Sequence, residues 1–326
     1  MKKFLGKLYD FSSSWTGTII IVLFLIFFVA QSFVIPSGSM KRTLLIGDFL
    51  FAKKYSYGIP IPHLPWLEVP IMPDIFDNGH LIEGDKPKRE DIVIFRYPHN
   101  EKIHYVKRCV AVGGDELIYL DKRLLIHFNE GDDYIKANYP KEKIISLRDK
   151  LWVENPYMSK YAGIQYVPEA GGNIFESLLT YYNYDKEIDM SPIYIRELKN
   201  SIKYNINNRP VNALYKKVEE GNFYMIGDNR DNSNDSRFWG SVPYKLVVGK
   251  PWLIYFSMEH RSYDKVLNGD DEFGSGRDNA GLKRVCGDID IKSKECEVLW
   301  SRERYKIRWG RMGREIESLA LEKPIQ

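Results

Sequence analysis

Ser39 lies in the run Ile35-Pro36-Ser37-Gly38-Ser39-Met40, directly after the one long uncharged stretch of the chain. A serine beside a glycine turn is a candidate nucleophile, but its hydroxyl attacks only when a base takes its proton. Histidine is the usual base. The six here (His63, His80, His99, His104, His127 and His260) stand in no context that marks one of them. A neutral lysine does the same work in Ser-Lys variants of the catalytic triad. Its amine titrates near ~10.4 in water, so burial must lower it. Lys107 is the candidate, because it interrupts the apolar run Ile103-His104-Tyr105-Val106-Lys107-Arg108-Cys109-Val110-Ala111-Val112. In a strand, Tyr105 and Lys107 share one face and Val106 and Arg108 the other. That pattern fits either a buried amine or an ordinary solvated alternation. Lys41 and Arg42, just past the serine, read as cations at a membrane surface.

A second dense site runs from Gly227 through Asp228, Asn229, Arg230, Asp231, Asn232, Ser233, Asn234, Asp235, Ser236 and Arg237 to Gly240. Asn, Asp, Ser and Gly favour polar turns, and the spacing of a calcium-binding EF-hand loop is not met. The same set of donors and acceptors could also orient a catalytic lysine. Of the three cysteines, Cys286 and Cys296 are close in sequence and polar-flanked, the expected bridge in an oxidising compartment. Cys109, in its apolar run, reads as a small buried hydrophobe. No Cys/His spacing suggests a metal site, so neither metal nor cofactor is expected.

The elements around these residues are mostly strands. The chain has 326 residues, enough for one large core or two modest ones. A net charge of +3, with opposite signs interspersed, argues against a nucleic-acid partner. Aromatic content of 14% argues against disorder. Strands are expected at Phe49–Ser56, Asp91–Phe95, Ile103–Val112, Phe223–Ile226 and Val247–Ser257, with hairpins at 97–100 and 117–128. A long Pro- and Gly-rich loop is expected at 58–90, helical character near 171–202, and a polar linker at 260–283.

From Phe11 to Met40 there is no charged residue. Trp15–Ile35 satisfies the roughly 20 apolar residues that a span needs, and Lys2, Lys3 and Lys7 before it place the N-terminus in the cytoplasm. A cleavable signal peptide competes, since Ala30-Gln31-Ser32 is a small-x-small site. The apolar stretch exceeds the roughly 7–15 residues of a signal-peptide core, which favours an uncleaved anchor. A mean hydropathy of −0.37 and the lack of a second such run argue for a single span.

Taken together, these residues resemble type I signal peptidases, the membrane-anchored serine proteases that remove signal peptides. Four blocks match in the family's order: Pro36-Ser37-Gly38-Ser39-Met40 with Thr43-Leu44; Gly47-Asp48; Asp91–Phe95 followed by Tyr105-Val106-Lys107-Arg108; and Gly227 through Pro243. The resemblance implies that Ser39 attacks the scissile carbonyl and Lys107 is the general base. It implies that Ser233 orients the amine, and that the Ser39 N–H and Ser37 hydroxyl form the oxyanion hole. Asp235 and Arg237 would pair to brace the loop, with Asp228 and Arg108 in support. Phe33, Ile35, Leu44, Tyr105 and Val106 would line shallow pockets for small residues at −1 and −3. The implied partners are signal peptides of exported preproteins and membrane lipid. The implied location is the bacterial cytoplasmic (inner) membrane, single-pass, with the catalytic part on the outer face.

The implied fold is mostly β: after a single N-terminal transmembrane helix, a catalytic core of coiled antiparallel sheets with a second β-rich domain inserted. The expected division is a cytoplasmic N-terminus at 1–14, an anchor at 15–35, core at 36–115, insert at 116–220 and core again at 221–326. The sequence departs from the family at Arg42, where proline is usual, and at His104, where an acidic residue is common. Tyr305–Gly313 resembles the family's C-terminal Arg/Trp-rich strand, from which a complete chain is expected. A self-cleaving repressor of the same clan would lack the apolar anchor. A membrane-tethered, non-enzymatic β module would have lost Ser39 or Lys107.

Overall fold

The computed structural model describes residues 10–64, 67–166, 174–184, 188–198, 203–206, 208–260, 285–303 and 305–323. The expected linker at 260–283 falls almost wholly outside them. An antiparallel sheet carries the chemistry. Its strands are β1 (Ala30–Val34), β2 (Asp48–Lys53), β5 (Ile92–Tyr97), β6 (Asn100–Val112), β15 (Asn222–Ile226), β16 (Val242–Pro243) and β17 (Val247–His260), in the order β1-β2-β17-β5-β6-β15-β16. The short β18 (Tyr305–Ile307) and β19 (Arg314–Glu315) add to β17. The 58–90 stretch is not loop throughout, since β3 (Gly58–Pro60) and β4 (His80–Glu83) pair within it.

Every strand of a second antiparallel sheet lies between residues 116 and 217. It comprises β7 (Glu116–Leu120), β8 (Arg123–His127), β9 (Lys143–Leu147), β10 (Lys150–Glu154), β11 (Ser191–Ile193) and β14 (Ala213–Lys217). A separate ribbon pairs β12 (Tyr204–Ile206) with β13 (Arg209–Val211). Of the helical character expected at 171–202, the helix Ile174–Tyr184 is described, and its Phe175, Leu178 and Leu179 are buried. The core beneath the second sheet also takes Val110, Ala111, Tyr224 and Ile226 from the first. Full burial of such side chains contributes roughly 1.5–3 kcal/mol each, so the two sheets share stabilisation across β6 and β15.

The N-terminal segment differs from expectation. The α-helix Trp15–Phe24 continues into a wider π-helical turn, Leu25–Val29, and ends there. Ala30 turns extended, and Ala30–Val34 pairs with Lys53–Phe49 as β1. The residues from Ala30 to Val34 assigned to the span are therefore sheet. Polar Gln31 and Ser32 interrupt the apolar run at the point where the backbone turns extended. Among the described residues no helix is long and apolar enough to cross a membrane. Cys286 and Cys296 are joined, with Cα atoms 5.3 Å apart, while Cys109 is free and buried.

Candidate active site

Lys107 sits where β6 passes from edge to interior. Residues 100–103 are exposed and 104–106 half-buried, whereas 107–111 are all buried. Up to Arg108 the strand pairs with β5. From Arg108 onward it also pairs with β15, and the second sheet closes over its other face. Both faces are then covered, and alternation no longer decides which side chain meets water. Lys107 as a whole is 4% exposed. Burial pulls it down to about 8; Asp235 and Asp228 push back up, and Arg237 adds to the lowering.

Ser39 lies on a tight turn, Gly38–Met40, and is nearly buried. Its Oγ is 2.5 Å from Lys107 Nζ. The ammonium donates in that pair; the same distance would let a neutral amine accept from the hydroxyl. The Gly227–Gly240 stretch, the signature loop, holds the turn through Asn229. Asn229 N donates to the Ser39 carbonyl at 3.1 Å and Asn229 Nδ2 to the Gly38 carbonyl at 3.1 Å. Gly227 is needed for this approach, since a Cβ there would stand 2.4 Å from the Ser39 carbonyl and 2.3 Å from Ser233 Oγ.

Two buried ion pairs fix the loop. Asp228 receives Arg108 Nε at 2.8 Å and Nη2 at 2.7 Å, and the Thr43 hydroxyl at 2.6 Å. Asp235 receives Arg237 Nε and Nη2, both at 2.9 Å, and the Gly227 N–H at 3.1 Å. These partners hold both carboxyls below the ordinary carboxylate range against the opposing effect of burial. Planar two-pronged contacts of this kind fix orientation as well as charge. Ser233 is buried close by, but its Oγ makes no hydrogen bond to Lys107; Ser39 is the amine's partner.

Phe33, Ile35, Tyr105, Val106, Ser37, Ser39 and Lys107 line one cleft of about 480 Å³. Leu44 does not. It is fully buried among Met40, Leu50 and Ile92, and the pocket role expected of it is corrected to a core role. Its position beneath the nucleophile turn points it inward. At Arg42 the backbone φ is +81°. Proline is locked near −65° and could not adopt the backbone that Arg42 takes here.

Two contributors were not singled out from the sequence. The first is the Tyr157–Gln165 segment. Gln165 pairs with the signature loop through its N–H to the Asp228 carbonyl and its carbonyl to Arg230 N–H, both at 3.0 Å. Tyr161 lies under Arg108, 4.1 Å from the guanidinium to the ring centre. Nothing in its spacing marks that stretch. The second is Arg311, which donates to the Thr43 carbonyl at 3.0 Å and to Asp48 at 2.6 Å, clamping the far side of the nucleophile turn. Its Arg/Trp-rich context was visible, its target was not. Among the described residues no His/Cys/Asp/Glu group could hold a metal ion.

The sequence profile of the family "Signal peptidase, peptidase S26" matches residues 8–256. The chain belongs to that family. The signal peptidase I of Helicobacter pylori strain J99 is 43% identical over 321 residues, covering 97% of this chain and 96% of that protein. That of Helicobacter pylori strain 26695 is 48% identical over 260 residues, covering 78% and 85%. That of Pseudomonas aeruginosa is 31% identical over 260 residues, covering 77% and 73%. The chain is thus an enzyme, a serine peptidase of the signal peptidase I type.

Proposed function

We propose that this peptidase removes N-terminal signal peptides from exported preproteins with a Ser39/Lys107 dyad. The carrying observation is the buried 2.5 Å contact between Ser39 Oγ and an amine lowered to about 8. The neutral amine takes the serine proton as Oγ attacks the scissile carbonyl, then returns it to the leaving amine. The Ser39 N–H and the exposed Ser37 hydroxyl receive the oxyanion, a preorganised arrangement of the kind worth roughly 2.7–4 kcal/mol per donor. Ser233, packed against Gly227, fixes the loop under the dyad rather than bonding the amine.

Two open sheet edges support the substrate reading. Among the described residues β1 pairs only with β2, and β6 before Arg108 pairs only with β5. Both edges flank the cleft. An extended peptide adds to such edges through its main chain. Phe33, Ile35, Tyr105 and Val106 then leave room for small side chains at −1 and −3. We read residues 36–115 and 221–326 as the catalytic lobe and 116–220 as an inserted lobe. The exposed apolar helix Trp15–Phe24, with its continuation to Val29, anchors the chain in the bacterial inner membrane, the N-terminus cytoplasmic and the cleft outside. Lipid and signal peptides are its partners.

The test is cleavage of a model preprotein in detergent micelles by wild type and Ser39→Ala, with the new N-terminus sequenced. A cut after a small-x-small site that disappears in Ser39→Ala is expected. Absence of cleavage by folded wild type would favour the non-enzymatic module.

A further inference from the structure

Beside the outer end of the cleft, Leu67, Val69, Ile71, Met72, Ile75 and Phe76 all face solvent, Ile75 at 78% and Phe76 at 68% exposure. The segment is held in place by its backbone. Leu64 N donates to the Val69 carbonyl at 2.8 Å, Glu68 N to the Leu64 carbonyl at 2.9 Å, and Ile71 N to the Pro62 carbonyl at 3.0 Å. Its polarity is inverted relative to a solvated loop. Glu68 turns inward, 2.8 Å from Arg96 and 3.7 Å from His104 on the cleft wall, while the apolar side chains turn out. Leu67–Phe76 holds no lysine or arginine. An exposed apolar patch of this kind marks an interaction site.

The same node reaches the N-terminal helix. Lys54 feels both Arg96 and Glu68. Its backbone N–H donates to the Val29 carbonyl at 3.1 Å and its amine to the Phe27 carbonyl at 3.4 Å. The ribbon therefore flanks the C-terminal end of the helix whose Ile19, Ile20, Val22 and Phe24 are exposed. Two outward-facing apolar surfaces meet at one corner of the molecule, next to the cleft mouth.

We propose that Leu67–Phe76 is a second lipid-inserting element, which with the N-terminal helix seats the cleft mouth at the bilayer surface. The proposal rests on the membrane-anchored reading above. Lipid is favoured over a protein partner because the ribbon adjoins an element already apolar on every side, and its one outward carboxylate, Asp74, is engaged by the backbone N–H groups of Asn78 and Gly79. Without basic residues it needs no anionic lipid. The helix fixes the chain to the membrane; the ribbon fixes the angle of the lobe, so that a peptide leaving the bilayer enters between β1 and β6.

The full chain carrying Ile75→Cys, labelled with a fluorophore and reconstituted in phosphatidylcholine vesicles, tests this. The native cysteines are buried or bridged. Nitroxide lipids should quench the label about as strongly as one at Val22→Cys, and several-fold more than one at Tyr184→Cys, which is 85% exposed on the insert helix. Quenching no greater than at Tyr184 overturns the proposal, including the case in which the ribbon meets a membrane protein instead. In a second arm, I75D/F76D should lower kcat/KM at least tenfold on a vesicle-borne preprotein and leave it unchanged on a soluble peptide. An equal fall on both assigns the ribbon to the cleft and overturns insertion. If wild type cuts neither substrate, the peptidase reading fails while the quenching still judges the ribbon.

Discussion

Raising the pH from 7 to 9 should switch on the dyad. With Lys107 at about 8, the neutral fraction is roughly a tenth at pH 7, half at pH 8 and nine-tenths at pH 9. Since only the neutral amine accepts the Ser39 proton, kcat/KM on a soluble peptide should rise about ninefold across that range and then level. An amine at its ordinary 10.5 would give a hundredfold rise over the same two pH steps with no plateau. The titration must also appear in stability. Moving an amine from 10.5 to about 8 corresponds to about 3 kcal/mol. Between pH 8 and 10.5 the unfolded chain holds more protons than the folded one, so stability rises with pH through that window. Below pH 8 both states are protonated and the buried charge imposes its full cost. The assay pairs a pH–rate profile with urea unfolding of wild type and Lys107→Met at pH 7, 8, 9 and 10. The Met variant, inactive, should lack the slope. An unbroken log-linear rate through pH 9.5, or a stability difference between the two proteins independent of pH, would refute the argument.

Asp228→Asn should leave Arg108 buried without its counter-charge and lower stability by about 3–5 kcal/mol, read as a fall in the urea midpoint with loss of cleavage. Arg42→Pro should destabilise and slow the enzyme, because φ +81° is closed to proline; a variant as stable and active as wild type would show the turn to be misread. Leu44→Ala should cost about 2–5 kcal/mol as a core cavity yet leave the preference at −1 and −3 unchanged in a peptide library. A shifted preference would return Leu44 to the pocket.

The residue types of the proposed dyad were legible because the chemistry asked of them is restrictive. A serine nucleophile at a glycine turn and a lysine within an apolar strand are few in any chain, and the strands at Ile92–Tyr97, Asn100–Val112 and Asn222–Ile226 carry the β-branched and aromatic alternation that betrays them. The helix end at Val29 was less legible. Composition continues apolar to Ile35, and only the pairing of Ala30–Val34 with β2 turns that continuation into sheet. The roles of Gln165, Tyr161 and Arg311 were not legible, because contacts across more than fifty residues of chain leave no local spacing to read.

By itself the sequence determined the apolar N-terminal segment and the strand-rich character, which follow from composition and local propensity; it singled out Ser39 and Lys107 as candidates, left the Cys286–Cys296 bridge open, and placed Asp228, Asp235 and Arg237 beside the pair only through the family resemblance. Only the tertiary structure decided that Lys107 is buried, because that depends on a second sheet covering the other face of β6. It also decided that Leu44 is core, that Arg42 adopts a left-handed turn, and that the Leu67–Phe76 ribbon faces outward beside the N-terminal helix. Burial is a property of what packs against a residue, and the packing partners lie far away in the chain.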